Sequence, residues 1–394
     1  MKIGLILSKV PGYSETFLVN KIKGLQEAGH SVLLFSNAKG NSRVFAGAKV
    51  VSSIQKGTGV RGNLHNLKVL MILIRRPGRM LAFHRILAGE GYSLSERNRL
   101  LLINAHILPY YLDWLHFGFA TLMLEKEFTA KAMSAKMGVS LRGYDINVYP
   151  LKHKACYKLA WRQINKVHSI STALYKSAIQ QGLPETVKWT LITPAIDYIF
   201  FQRAQRKDSN TDVIQLLTVG RLAWIKGLEY GLAALALLKN EGIRFKYTIV
   251  GDGDLYERLK FAIYQYELDD QVELVGKKTP EETVKYYQSS DIYLQPSLDE
   301  GFCNAVIEAQ ACGCLCIVSD TGGLKENIID NKTGWLVPAR VPEALFRKIV
   351  EVNALSDMQK EIIRQQARQH VETNFNLADQ VTLFTRFFEN ADSI

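Results

Sequence analysis

The sequence predicts an α/β protein built from two doubly wound parallel-sheet domains, and three observations carry that prediction. The chain has 394 residues, more than one hydrophobic core of roughly 250–300 residues usually supports. Short β-branched runs alternate with helical patterns along its length, the rhythm of parallel strands joined by helical crossovers. The polar stretch from Phe200 to Asp212 interrupts that rhythm and reads as a linker between domains.

Taken in order, Lys2–Ser8 reads as the first strand, followed by a loop at Pro11, Gly12, Tyr13 and Ser14. A helix then runs from about Glu15 to Ala28, capped by Ser14 and stopped by Gly29. Further strands are expected at Ser31–Phe35, Lys49–Ile54, Asp113–His116, Met137–Leu141, Lys166–Ile170 and Val187–Ile192. Residues 61–107 depart from the pattern as basic, amphipathic helices inserted between strands. The second alternation comprises Val213–Val219, Phe245–Val250, Val272–Val275, Ile292–Leu294 and Leu315–Val318. The expected division is therefore a first domain over 1–199, a linker over 200–212 and a second domain over 213–377. A C-terminal helix follows over 378–394, for which packing back on the first domain is one option. Two open parallel sheets imply a ligand cleft between them, at the carboxyl ends of the strands.

Composition narrows the function. With 47% apolar and 22% charged residues the chain can build cores and is not disordered. The net charge of +11 is uneven. Residues 1–195 hold 27 basic and 9 acidic side chains, a balance of +18, whereas residues 196–394 hold 22 and 29, a balance of −7. A basic first half raises nucleic acid, an anionic membrane or an anionic substrate as partners. No nucleic-acid motif accompanies the charge, so nucleic acid is not expected. No apolar stretch is long enough to span a bilayer, and the first apolar run is too short for a signal peptide. Five cysteines make no disulfide framework, which points to a reducing cytoplasm.

The strongest local motif is Glu300-Gly301-Phe302-Cys303-Asn304 through Glu308, which follows a strand and opens a helix. The amides near Phe302 to Ala305 form a helix amino terminus suited to a phosphate, and the two carboxylates can accept sugar or ribose hydroxyls. A capped helix with a solvated glutamate is the plainer reading. Gly220-Arg221 and Lys226-Gly227 place two cations after a strand, where they can neutralise a diphosphate leaving group or simply lie on the surface. Asp252 and Asp254 suggest a metal pair, but a turn with Asp254 capping a helix is simpler. Cys312, Cys314 and Cys316 lack zinc-site spacing and read as buried small residues. His116, at the end of Asp113–His116, and Arg142 with Asp145, after Met137–Leu141, are candidates to face the cleft; a lone histidine is more often structural.

These motifs, in this order, resemble the family 4 retaining glycosyltransferases, which have the GT-B architecture of two facing Rossmann-like domains. Pro11-x-x-Ser14-Glu15-Thr16-Phe17, His116-Phe117-Gly118 and Arg142-Gly143-Tyr144-Asp145 are similar to the branch that makes colanic acid, capsules and other exopolysaccharides. The resemblance implies that Arg221 and Lys226 hold the donor diphosphate, Glu308 the ribose and Glu300 the donor sugar, with Gly301, Phe302, Cys303 and Asn304 approaching sugar and phosphate. Gly276 would lie near the base, and His116 near the reacting anomeric carbon. Gly12, Tyr13, Ser14, Glu15, Arg142 and Asp145 would lie on the acceptor side. Such enzymes need no metal or other cofactor beyond the nucleotide sugar, a UDP-sugar by family frequency. The acceptor would be a saccharide or a lipid-linked saccharide. The sequence departs from the family pattern at Ala195, Cys303 and Leu315, which touches donor selectivity and not the reaction class.

Two other readings share these features. A nucleotide-sugar epimerase of the same architecture would act on donor alone. A catalytically silent carbohydrate- or membrane-binding subunit of a polysaccharide assembly complex would not turn donor over, and the intact Arg221, Lys226, Glu300 and Glu308 argue against it. The basic stretch Arg61–Arg99, interleaved with apolar residues, is expected to touch anionic lipid, placing the enzyme on the inner face of the cytoplasmic membrane; the solvated face of ordinary core helices is the alternative. The sequence carries no signal for an oligomeric state.

Overall fold

A computed structural model of the chain describes residues 1–9, 16–36, 44–53, 76–204 and 212–389. The chain divides into two compact units: Met1–Thr193 with Ala378–Ile394, and Pro194–Leu377. The division thus falls a few residues before the linker expected from the sequence, and the last helix belongs to the first unit.

In unit 1 the elements are β1 (Lys2–Leu7), α1 (Thr16–Glu27), β2 (Ser31–Ser36), β3 (Val44–Phe45), β4 (Ala48–Ser52), α2 (Pro77–Gly89), α3 (Leu94–Asn104), β5 (Trp114–Phe117), β6 (Lys136–Leu141), β7 (Lys166–Ser169), α4 (Thr172–Gln180) and β8 (Lys188–Leu191). Its sheet runs β3-β4-β2-β1-β5-β6-β7-β8 and is parallel except for the β3–β4 pair. The β1–β5 boundary is where strand order reverses, the usual ligand position in open parallel sheets. Gly12, Tyr13, Ser14 and Glu15, which follow β1 in the sequence, lie outside the described residues.

Unit 2 follows with β9 (Ile214–Val219), α5 (Leu228–Asn240), β10 (Phe245–Val250), α6 (Tyr256–Gln265), β11 (Val272–Gly276), α7 (Pro280–Ser289), β12 (Ile292–Gln295), α8 (Asn304–Ala311), β13 (Leu315–Ser319), β14 (Trp335–Val337), α9 (Pro342–Asn353) and α10 (Asp357–Asn374). The sheet order β11-β10-β9-β12-β13-β14 is fully parallel. Counted within the unit it is 3-2-1-4-5-6, with the reversal between β9 and β12. Both faces of these strands are covered, which is why they read as near-continuous apolar runs. Cys312, Cys314 and Cys316 lie in one of its cores with Tyr287, Tyr293 and Val306, unbridged and at most 3% exposed.

The helix α11 (Leu377–Glu389) closes one face of the unit 1 sheet. Phe384, Phe387 and Phe388 pack with Trp114, Leu5 and Ile192. The open carbonyls of its last turn are taken by the sheet: Trp114 Nε1 donates to Phe388 O at 3.2 Å and Lys166 Nζ to Phe387 O at 2.9 Å. A cation at that helix end also favours the dipole.

Of the basic insertion, residues 54–75 lie outside the described set, and α2 and α3 form its remainder. Their cations are partly committed to unit 1 itself. Arg76 Nη1 donates to the Tyr111 hydroxyl at 2.7 Å, Arg79 donates to the carbonyls of Leu108 and Tyr110, and Arg99 pairs with Glu125. Arg85 and Leu81 remain exposed on α2.

Candidate functional site

The carboxyl ends of β9 and β12, at the reversal point of the unit 2 sheet, collect the strongest sequence motifs. β9 ends at Val219, and Gly220 and Arg221 continue into a short 3-10 turn, Trp224–Lys226. Gly227 then adopts φ +59°, and a Cβ there would stand 2.2 Å from the Pro296 carbonyl oxygen. Only glycine permits that approach, which brings the Lys226 turn against the loop leaving β12. Leu298 N–H donates to Ile225 O at 2.8 Å and fastens the same two segments.

That contact makes an ion pair. Lys226 Nζ lies 2.5 Å from Glu300 Oε1, with the two side chains 16% and 12% exposed. Burial works against the ammonium, but the Glu300 carboxylate outweighs it and holds Lys226 above the usual lysine range. Lys226 therefore stays charged. Arg221, by contrast, is exposed to solvent.

The other carboxylate behaves differently. Glu308, on α8, accepts a hydrogen bond from the Tyr287 hydroxyl at 2.9 Å through Oε2. Burial pushes its carboxyl up to about 7, and Tyr287 offsets only part of that. Burial and the neighbouring Glu308 keep Tyr287 itself protonated and donating.

The segment between the two glutamates is firmly built. α8 begins at Asn304 without a side-chain cap. Asn327, fully buried, clamps Cys303 from both sides: its Oδ1 accepts from Cys303 N–H at 3.2 Å and its Nδ2 donates to Cys303 O at 3.0 Å. The Cys303 amide is thus committed to Asn327, which corrects the expectation that it approaches a ligand. Burial pushes the Cys303 thiol up to about 12. Gly301 is buried, Phe302 packs its ring on Phe375, and Asn304 is exposed. Gly276 closes β11 and accepts from Gly251 N–H at 2.9 Å.

Asp254 does not cap a helix. α6 starts after Leu255 with no side-chain cap, while Asp252 Oδ1 accepts from Gly253 N–H at 2.8 Å, so the segment is a turn stabilised by Asp252. Among the described residues no group of three or more His, Cys, Asp or Glu side chains is arranged to hold a metal ion.

In unit 1 two candidates lie elsewhere than expected. His116 was expected at a strand end facing a cleft, but it lies within β5 and is 1% exposed. Side chains alternate along a strand, so His116 shares the Trp114 face, and that is the face α11 covers. Its ring meets Phe387 and Phe388 edge-on at 5.4 Å each. His116 Nε2 lies 2.8 Å from Ser140 Oγ, which in turn lies 2.8 Å from His168 Nδ1; His168 Nε2 donates to Ile192 O at 2.9 Å. Because a carbonyl only accepts, neutral His168 carries its proton on Nε2, Ser140 donates to Nδ1, and His116 Nε2–H donates to Ser140. Lys21 Nζ lies 3.4 Å from the same His116 nitrogen, inside the core. Burial, with neighbouring cations, holds Lys21, His116 and His168 well below their usual ranges.

Asp145 is likewise 1% exposed. Its carboxylate accepts from the amides of Ala120, Arg142 and Gly143 at 2.8, 3.1 and 2.9 Å. Three backbone donors use that carboxylate to tie the loops after β5 and β6 together. This corrects the reading of Asp145 as an acceptor contact and makes it a loop staple, with Arg142 partly exposed beside it.

Sequence reasoning missed Tyr287, Asn327, Tyr293, Gln295 and Ser297. The available signal was polarity in an otherwise apolar setting: Gln295 ends a buried strand, and Ser297 follows two residues later.

Comparison with known proteins concerns the chain as a whole and its second unit. Residues 201–370 match the family described as glycosyl transferases group 1. The amylovoran biosynthesis glycosyltransferase AmsK of Erwinia amylovora is 29% identical over 397 residues, covering 95% of this chain and 96% of that protein. WcaL of Escherichia coli (strain K12), a glycosyltransferase named for colanic acid biosynthesis, is 27% identical over 393 residues with the same coverage. The crystal structure of Anabaena HepE in complex with UDP and glucose aligns over 100% of both chains with a TM-score of 0.73 at 16% identity, a likeness of fold.

Proposed function

Since the chain is a glycosyltransferase with a glycosyl transferases group 1 domain over residues 201–370, we propose that it moves a hexose from a nucleotide sugar, a UDP-sugar first among them, to a saccharide or lipid-linked acceptor in bacterial surface polysaccharide synthesis. The observation that carries this reading is the convergence of Lys226, Glu300 and the amino end of α8, with Glu308 one turn further along, at the β9–β12 reversal point of unit 2. HepE, of the same fold, was crystallised with UDP-glucose, and AmsK is named for an exopolysaccharide.

In this reading Lys226 and Arg221 neutralise the diphosphate, Glu300 accepts from a donor-sugar hydroxyl and Glu308 from the ribose. The bond between the anomeric carbon and the diphosphate oxygen lengthens while the acceptor oxygen approaches on the same face. The acceptor proton passes to the departing phosphate oxygen, so configuration is retained and no metal is needed. The cations act on charge that develops at the leaving group, where fixed electrostatic partners lower a barrier most. His116 is assigned no contact with the anomeric carbon here, because it is enclosed beneath α11.

The decisive measurement is a melting-temperature panel of UDP-, GDP- and ADP-sugars. A rise with a UDP-sugar is expected, and no rise with any member would sink the proposal. The pH dependence adds a sharper expectation. A carboxyl near 7 must lose its proton to accept from two ribose hydroxyls, so calorimetric affinity should climb as pH rises through about 7. Glu308→Gln should bind more weakly and show no such climb.

We also assign unit 1 to an anionic membrane surface through Arg85, Leu81 and the rest of the basic insertion. Among the described residues no helix is long and apolar enough to cross a membrane. Flotation with anionic vesicles but not with neutral ones is the expected result, and equal behaviour with both refutes it.

A further inference from the structure

Behind Glu300 a run of buried polar groups reaches back along β12. The Tyr293 hydroxyl lies 2.6 Å from Gln295 Oε1 and 3.2 Å from Val219 O. Gln295 Nε2 lies 2.7 Å from Ser297 Oγ and 3.5 Å from Glu300 Oε1, and Ser297 Oγ lies 2.9 Å from Glu300 Oε1. Tyr293, Gln295 and Ser297 are all fully buried.

Counting protons gives the chain a direction. The amide oxygen of Gln295 only accepts, so the single tyrosine proton goes to it by the shorter contact. Burial keeps that hydroxyl protonated. The opposite amide orientation would point an oxygen at the Glu300 carboxylate and is excluded by repulsion. The Gln295 amide nitrogen therefore donates to Ser297, which leaves the serine proton for Glu300. Lys226 donates to the same oxygen. Glu300 Oε1 is thus saturated by the protein, whereas Oε2 has no partner among the described residues.

We propose that Gln295 and Ser297 are positioning residues that fix the rotamer of Glu300 and leave Oε2 unshared for a hydroxyl of the donor sugar. The inference rests on the donor-site reading above and deepens it: the relay governs recognition of the sugar, not of the nucleotide. A carboxylate free to rotate would offer Oε2 to Lys226 as readily as Oε1 and lose its aim at the sugar.

The test compares wild type with Ser297→Ala, Ser297→Thr and Gln295→Met. The probes are the nucleotide sugar that most raises the melting temperature in the panel and its nucleoside diphosphate alone. The expected result for Ser297→Ala and Gln295→Met is about tenfold weaker binding of the nucleotide sugar, the scale of one lost bond to a charged group, with nucleoside diphosphate binding within twofold of wild type. Ser297→Thr, which keeps the hydroxyl, should restore sugar binding. Unchanged sugar affinity in both Ser297→Ala and Gln295→Met overturns the proposal. So does an equal loss for both ligands, which would mark a merely structural role. If wild type binds the nucleoside diphosphate but gains nothing from the sugar, the positioning proposal fails while the nucleotide site stands. If it binds neither, the donor-site reading fails and takes this inference with it.

Discussion

Replacing Lys226 with methionine is expected to lower kcat/KM for transfer by 10²–10³, about 2.7–4 kcal/mol of transition-state stabilisation by analogy with loss of one oxyanion donor. Two observations make the effect large. The ammonium is largely enclosed, so its field is not screened by water as that of exposed Arg221 is. It is also kept charged by Glu300, so it reaches the diphosphate as a full cation. The same substitution strands Glu300 with only Ser297 and Gln295 as donors, and the protein should lose stability as well as activity. The double variant Lys226→Met, Glu300→Gln separates the two effects. It removes both charges together, so its melting temperature should recover toward wild type while transfer stays low. Recovery of transfer in the double variant would show that the cation acts only as a structural partner of Glu300.

The second large effect concerns acid. Unit 1 buries His106, His116 and His168, each held below the ordinary histidine range first by burial and then by neighbouring cations, His106 down to about 4. The unfolded chain takes up protons on these rings below about pH 6.5, and the folded chain refuses them. Their contribution is therefore fully present above pH 6.5 and is lost as pH falls from 6.5 toward 4. For His106 the cost is about 1.4 kcal/mol per pH unit between 6.5 and 4, so pH 5 removes about 2 kcal/mol at that ring, and His116 and His168 add a loss of the same sign. Even about 2 kcal/mol is a large share of the stability of an ordinary domain, roughly 5–15 kcal/mol. Glu127 and Asp145, whose carboxyls burial pushes up, work in the opposite sense. The urea midpoint of unit 1 should fall between pH 6.5 and 5, and His106→Phe should make that fall shallower. A midpoint flat across this interval would contradict the burial of the three rings.

Much of the fold was legible in the sequence because parallel strands buried on both faces announce themselves as short β-branched runs. β1, β2, β9, β10, β11 and β12 lie within a residue or two of their expected bounds. The two-residue β3 was missed because so short a segment has no periodicity to read. At the site, Lys226, Glu300 and Glu308 were legible because chemistry-bearing residues after a strand end stand out. Gln295, Ser297 and Asn327 were not, since their importance lies in which distant partner they meet. His116 shows the limit most clearly. Strand alternation places it on the Trp114 face, but nothing local tells that residues 384–388 return to cover that face.

That return has a consequence for biosynthesis. On the ribosome, residues 1–193 emerge first, yet Trp114, His116 and His168 keep an uncovered apolar face until residues 384–388 have been translated. All of unit 2 is made in that interval and can close its own sheet while the earlier unit waits. The order of synthesis is therefore reversed in the order of completion: the unit begun first matures last. A nascent chain stalled before α11 would expose that face to chaperones or aggregation.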